Sequence, residues 1–142
     1  MPRMGMGRLI AGGLLAGLVL SGADFVASNF LLADRWQDVA RRHSIDRARM
    51  GGDAALVTML AVDFLLGFVL LFTYAAVRPR FGPGPGTAAI ASLIVFLPAG
   101  LLFATFGGWF IPWDLYVRQT AMLFVSMMAA GVAGAGAYGE KE

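Results

Sequence analysis

The sequence predicts an all-α protein: a four-helix transmembrane bundle with short loops and one charged, helical loop at the membrane interface. Of the 142 residues, 58% are hydrophobic and only 14% are charged, far from the composition of a soluble domain. Four apolar runs are each long enough to cross a hydrocarbon core of about 30 Å. They cover residues 9–33, 54–77, 88–106 and 115–138. With three connecting loops they account for the whole chain, which is short enough to form a single integral membrane domain.

The first apolar run follows a short basic stretch, and two interpretations are open for it. Small residues at Ser21–Ala23 are of the kind that a signal peptidase requires, which would make the run a cleaved signal. The apolar pattern resumes at Phe25 and continues to Ala33, however. The run is then too long for a signal core, which favours a membrane helix.

The longest loop, residues 34–53, carries charges of both signs. Asp38 and Arg42, and Arg42 and Asp46, are four residues apart, a spacing that places partners on one face of a helix. We therefore expect a short helix here. Its weak apolar side would consist of Trp36, Val39 and Ala40. Such a helix suits the headgroup level of a membrane, and a fully solvated helix is the alternative.

Residues 78–87, RPRFGPGPGT, connect the second and third apolar runs and raise the question of a nucleotide site. A Walker-type loop needs G-x-x-x-x-G-K-[ST], with a lysine and several backbone N–H groups aimed at the phosphate. This segment has no lysine, and Pro83 and Pro85 lack the N–H group. It therefore predicts a tight turn and no nucleotide binding.

In this turn we expect Arg78 to close the second helix, Pro79 to stop it and Thr87 to cap the third helix. Arg78 and Arg80 are candidate contacts for lipid phosphate or for acidic groups of a partner. Arg118, near the start of the fourth run, is a third candidate because its side chain should lean outward to the headgroups.

The composition excludes several kinds of chemistry. Without cysteine there is no thiolate nucleophile and no cysteine-ligated metal. The single histidine, His43, lies in a loop, which removes histidine-based metal sites and the usual triads. We expect no metal site, no cofactor and no enzymatic activity. The net charge of +2 suits anionic lipid rather than nucleic acid, because no basic run is interleaved with stacking aromatics.

Two features are expected in the second half of the chain. Pro98, near the middle of the third run, predicts a kink because it removes a backbone donor. Residues 107–116 contain Trp109, Trp113 and Tyr116, which is typical of an aromatic belt at the water boundary.

Two acidic residues, Asp24 and Asp63, lie inside apolar runs, where each costs about 2.5 to 3.5 kcal/mol to insert. Asp24 lies ten positions before Asp34, and Asp63 lies ten positions after Asp53. Both carboxyl groups should therefore lie about 15 Å from the same membrane face. Two hydroxyl groups share the helix face of Asp24, those of Ser21 and Ser28. The acids either mark a proton or cation site or form hydrogen bonds between helices.

Small residues predict where helices meet. Gly13, Gly17 and Ser21 recur every fourth residue and form a close-packing face on the first helix. A comparable seam on the fourth helix consists of Ser126, Ala130 and Gly134. We expect these two helices to pack against each other.

The segments YAAVRPRFGPGPGTAAIA (residues 74–91) and GLVLSGADFV (residues 17–26) resemble a signature of small, uncharacterised bacterial integral membrane proteins. That group has a similar length and four predicted spans, and an acidic residue followed by phenylalanine lies in its first helix. Asp24 and Phe25 correspond to that pair. The resemblance implies a bacterial inner-membrane protein and no known activity, and it does not extend to the charged loop or to Asp63.

These observations favour a non-catalytic accessory or assembly subunit, in contact with lipid and with other membrane subunits or a second copy of itself. The alternative is a small proton- or cation-coupled transporter that uses Asp24 and Asp63. Lys and Arg are nearly balanced between the two membrane faces. The basic turn at residues 78–80 nevertheless favours both termini in the cytoplasm.

Overall fold

The computed structural model describes residues 5–46, 52–107 and 109–139, and all regular secondary structure in these ranges is helical. The α-helices are α1 (Met6–Val26), α2 (Ala33–Arg42), α3 (Asp53–Phe81), α4 (Pro85–Gly107) and α5 (Trp113–Tyr138). A π-helical turn, Ala27–Leu31, continues α1. The predicted all-α fold class is confirmed.

Four of the helical segments are long and apolar enough to cross a membrane. They are Met6–Leu31, Asp53–Phe81, Pro85–Phe103 and Trp113–Tyr138. Each overlaps one predicted run and differs from it by a few residues at its ends. Large apolar side chains such as Leu18 and Phe30 are exposed on their outer faces, as hydrocarbon surroundings require. The chain is therefore a multi-pass membrane protein.

The four long helices form an up-and-down bundle. Helix α1 packs against α3 and α5, α4 packs against the same two helices, and α3 and α5 also meet. The end of the bundle that carries residues 82–84 is called the turn end. The opposite end, where α2 lies and where α3 and α5 begin, is called the α2 end.

Glycines allow α1 to approach its neighbours closely. A Cβ atom added to Gly67 of α3 would lie 2.5 Å from the backbone nitrogen of Gly17 and 2.7 Å from the carbonyl oxygen of Gly13. A Cβ atom added to Gly12 would lie 2.7 Å from the carbonyl oxygen of Gly134 in α5. Backbone thus packs on backbone at both contacts, which is the main source of helix association in lipid.

The first and fourth spanning helices pack together, but not through the expected stripe on α1. Gly13 and Gly17 face α3, whereas α5 meets the neighbouring face that contains Gly12 and Ala16. Successive helical residues are rotated by about 100°, so adjacent glycines serve two different neighbours. The seam expected on α5 is buried at Ser126, Ala130 and Gly134.

Helix α3 does not stop at Pro79, and that prediction is wrong. The helix continues through Pro79 to Phe81, and Gly82 then adopts a φ of 80°. One proline removes a single backbone donor, which membrane helices tolerate. The left-handed conformation at Gly82, which residues with a side chain avoid, ends the helix instead.

Thr87 does not cap α4, because that helix begins two residues earlier, at Pro85. Proline suits the first helical position, where its missing N–H group would have no partner in any case. The Thr87 hydroxyl group instead donates to the carbonyl oxygen of Gly82, at 2.7 Å. The Gly84 N–H group donates to the Tyr74 hydroxyl oxygen at 3.3 Å, so both bonds hold the turn against the bundle.

The charged loop contains the expected helix, α2, and one of the two predicted pairs differs. Asp38 pairs with Arg41, at 2.6 Å, rather than with Arg42. The apolar side of α2 packs on protein, since Val39 is buried against Leu115 of α5. Of the remaining loop, residues 47–51 lie outside the described ranges.

The aromatic segment before α5 lies at the surface of the α2 end. Trp109 and Trp113 are exposed, and the Trp113 ring stacks on Tyr116. His43 is close by, with its Nε2 atom 3.0 Å from the carbonyl oxygen of Phe110. Helix α4 continues through Pro98.

Candidate intramembrane polar site

The register of α1 against α3 sets the levels of the two acidic residues. These helices are antiparallel, and a Cβ atom added to Gly13 would meet the Phe68 ring. One helical turn further along α1, a Cβ atom added to Gly17 would lie 2.9 Å from the Cα atom of Phe64. Four residues forward on α1 thus correspond to four residues backward on α3. Continued by one turn toward the α2 end, this register pairs Ser21 with Leu60. Asp63 therefore lies near the level of Leu18, and Asp24 lies more than one turn closer to the α2 end.

Asp63 is the most deeply buried charged residue in the described chain, with 4% of its surface exposed. Its carboxyl group interacts electrostatically with that of Asp24 and lies near the Ser21 hydroxyl group. Within the described residues, however, neither Asp63 Oδ2 nor Ser21 Oγ has a hydrogen-bond partner of normal geometry. Nearly all buried polar atoms in native proteins are paired, so these two atoms require an explanation.

Asp24 is half-buried and lies just before a change in helix geometry. The following π-helical turn, Ala27–Leu31, leads into Leu32, whose N–H group donates to the Ala27 carbonyl oxygen at 2.8 Å. Such turns are frequent at functional sites, because they re-aim side chains within a helix. Ser28, on this turn, is half-buried and faces a groove.

This groove, called the α2-end groove, has a volume of about 1050 Å³ and lies between the end of α1, helix α2 and the start of α3. Gln37 and Arg41 give it polar walls. Two other lining residues, Ser28 and Met59, lie one helical turn from Asp24 and from Asp63, respectively. The groove therefore leads from the α2 end toward the acids.

Toward the turn end, the bundle interior is filled. Leu70, Leu71 and Met127 are fully buried. The ring of Tyr74 meets the ring of Tyr138 edge-on, with a centroid distance of 5.8 Å. Because this half is filled, a small molecule or ion would reach the carboxyl groups from the α2 end.

The three arginines predicted to contact headgroups or partners lie away from the acids. Arg80 and Arg118 are exposed. Arg78 is half-buried and lies over the Tyr138 ring, 5.6 Å from its centroid, a cation–π contact within the chain. Among the described residues, Arg78 therefore has a structural role besides any contact with lipid.

Three polar residues in the bundle were not among the predicted site residues. Gln119 Oε1 and Thr120 Oγ1, on α5, are buried without a hydrogen-bond partner in the described chain. The Ser92 hydroxyl group donates to the Met127 carbonyl oxygen at 3.1 Å and joins α4 to α5. The adjacent polar pair on α5 is visible as an interruption of an apolar run, whereas a lone serine gives no comparable signal.

A second groove, called the lateral groove, opens sideways between α1 and α5. It has a volume of about 570 Å³. Its walls are almost entirely apolar and include Gly22, Val26, Met122, Val125 and Ser126. The Ser126 hydroxyl group donates within its own helix, to the Met122 carbonyl oxygen at 2.7 Å. The groove thus presents an apolar surface toward lipid.

Comparison with protein-family models, curated proteins and solved structures found no match. The fold and the site therefore define the class: a multi-pass membrane protein with four apolar helices and a pair of carboxyl groups within the bundle. The resemblance of its turn and first helix to the bacterial group stays a prediction.

Proposed function

We propose that the protein is a non-catalytic accessory or assembly subunit that packs against helices of another membrane protein. We place it in the bacterial inner membrane with both termini in the cytoplasm. The lateral groove is the observation that carries this proposal. Lipid tails are as apolar as leucine, so a partner is held there by close packing rather than by the hydrophobic effect.

The proposed occupant of the lateral groove is a single transmembrane helix. A Cβ atom added to Gly22 would meet nothing within 4 Å, so the groove has room for the backbone of a partner at this point. Val26 and Val125 stand on its two sides and are 46% and 64% exposed. Small residues between larger apolar ones are typical of helix–helix interfaces in membranes.

Site-directed cross-linking tests this proposal in native membranes. The chain has no cysteine, so a Val125→Cys variant carries one reactive thiol at the lateral groove. We expect a thiol-reactive photo-cross-linker to give one adduct of discrete mass. An adduct of twice the chain mass would identify a second copy as the occupant, and cross-linking to lipid alone would contradict the proposal.

A matched pair of substitutions tests whether shape decides this contact. Gly22→Leu fills the lateral groove, whereas Gly136→Leu adds the same side chain at an exposed glycine of α5 that also has open space around it. In the Val125→Cys background we expect Gly22→Leu to lower the adduct yield by about tenfold, a loss of about 1.4 kcal/mol. Gly136→Leu should leave the yield unchanged. Equal yields in both variants would place the partner elsewhere.

A second candidate function is proton- or cation-coupled transport, which the buried, unpartnered oxygen of Asp63 favours. Ionisable residues within membrane segments commonly mark ion pathways. In reconstituted vesicles with an imposed pH gradient, we expect Asp24→Asn and Asp63→Asn to abolish flux, while exposed Asp53→Asn retains it. If the unmodified protein gives no more flux than empty vesicles, this candidate is rejected and the subunit proposal is unaffected.

A further inference from the structure

Two oxygen atoms at the α1–α3 contact lack partners although their residues are more than nine-tenths buried. Ser21 is 7% exposed and Asp63 is 4% exposed. Their Oγ and Oδ2 atoms have no hydrogen-bond partner of normal geometry in the described chain, although the Ser21 hydroxyl group lies near the Asp63 carboxyl group. The carboxyl group of Asp24, on the same helix as Ser21, acts electrostatically on Asp63. The arrangement collects hard oxygen donors of the kind that alkali and alkaline-earth cations bind.

We propose that Ser21, Asp24 and Asp63 form a binding site for a small monovalent metal cation of the sodium type. A cation between the helices would contact the two unpartnered oxygens directly. It would also remove the repulsion between two carboxylates, which is strong where water is scarce. One bound ion thus accounts for the buried acid, for the hydroxyl group beside it and for a second acid within the first helix.

The number of acidic ligands favours a monovalent ion. Calcium sites use six to eight oxygen ligands with several carboxylates, and magnesium demands near-octahedral geometry. The described residues contain no group of three or more His, Cys, Asp or Glu side chains that could hold a metal ion. Two carboxyl groups and one hydroxyl group suit an ion of lower charge, with backbone oxygens or water completing the shell.

The α2-end groove comes within one helical turn of the proposed ligands. Ser28 and Met59 line the groove one helical turn from Asp24 and Asp63. The filled interior around Leu70 and Leu71 lies on the other side. An ion would therefore enter and leave through the same end, which is sufficient for binding. The site would supply the second candidate function with its substrate, yet it does not require transport.

Ion-dependent thermal stability of the purified full chain in detergent tests the site without measuring flux. A ligand that binds only the folded state raises the melting temperature as its concentration rises. Replacing choline chloride by sodium chloride at equal ionic strength should raise the melting temperature by about 4 °C. This shift is expected when the sodium concentration is about ten times the dissociation constant. The same experiment with potassium and lithium chloride shows how the shift in melting temperature depends on the size of the ion.

Three variants assign the effect to the site. Asp63→Asn and Ser21→Ala should each reduce the sodium-dependent shift by at least about two-thirds. Asp53→Asn, which removes an exposed acid from the same helix, should retain it. Ser21→Ala deletes only a hydroxyl group, so it remains informative if Asp63→Asn does not fold.

Two results would overturn the proposal. One is a melting temperature that does not differ between sodium and choline in the unmodified protein. The other is a sodium effect that all three variants keep, which would be a general salt effect. A melting temperature that depends on pH but not on sodium would mean that the two carboxyl groups bind a proton rather than a sodium ion. In every case the cross-linking result at the lateral groove stands separately.

Discussion

Gly67→Ala should destabilise the bundle strongly. The new Cβ atom would lie 2.5 Å from the Gly17 backbone nitrogen and 2.8 Å from the Gly17 Cα atom. These are backbone atoms, which cannot rotate away, so α1 would have to move as a body. Overpacking at a rigid contact costs typically about 1 to 3 kcal/mol, and we expect the upper end of that range. Thermal unfolding of the purified chain in detergent measures the loss.

Gly22→Ala is the matched control for this prediction. It makes the same change at an interior position of α1, where the added Cβ atom would meet nothing within 4 Å. Alanine favours a helix interior over glycine by about 1 kcal/mol, so this variant should be slightly more stable than the unmodified protein. The two substitutions are thus expected to have opposite signs. A Gly67→Ala variant as stable as the Gly22→Ala variant would show that α1 and α3 are not in backbone contact.

The sequence predicts the fold well, because hydrophobic length alone selects a membrane helix. In hydrocarbon, the N–H and C=O groups of a long apolar segment must be hydrogen-bonded within the protein, and an α-helix pairs them within the segment itself. The helix ends are less predictable, as the continuation of α3 through Pro79 shows. The cost of one proline is local and small beside the apolar length of the helix. The left-handed backbone at Gly82, three residues later, therefore decides where the helix ends.

The candidate site is only partly predictable. Counting residues at a fixed helical rise predicts one level for Asp24 and Asp63. The α1–α3 register offsets them by more than one turn. Whether they face each other depends on the rotation of α1 about its axis. The sequence does not determine this rotation, because Gly12 and Gly13 are adjacent and either could face α3. In the structure Gly12 contacts α5 and Gly13 contacts α3, which fixes the rotation of α1 about its axis.

The two halves of the bundle differ in how their interiors are stabilised. At the turn end, glycine contacts and the buried rings of Tyr74 and Tyr138 leave little space. At the α2 end, the chain keeps unpartnered polar atoms, a π-helical turn and both grooves. Features that reduce stability are commonly retained where a protein binds something. We therefore expect the turn end to be the rigid half of the bundle and the α2 end to be the half that contacts a ligand or partner.

Asp63→Asn should raise the stability of the ion-free protein, which is the opposite of the usual effect of changing a buried residue. An unpaired carboxylate in a site with little water is far more costly than a neutral amide of the same shape. The substitution also removes the repulsion from Asp24. In sodium-free choline buffer we expect a gain of about 1 to 3 kcal/mol in the free energy of unfolding. Thermal or denaturant unfolding in detergent measures it.

The sign of this change separates two roles for the acid. If Asp63 served only to hold α1 against α3 through a hydrogen bond, the substituted amide would lose part of that bond and the variant would be less stable by about 0.6 to 1.7 kcal/mol. A gain instead means that the unmodified protein retains a costly group whose benefit appears only when a ligand is bound. Asp53→Asn, at an exposed position of the same helix, should stay within about 0.5 kcal/mol of the unmodified protein. The gain should also shrink as sodium is added, because the ion stabilises only the chain that still has the Asp63 carboxylate.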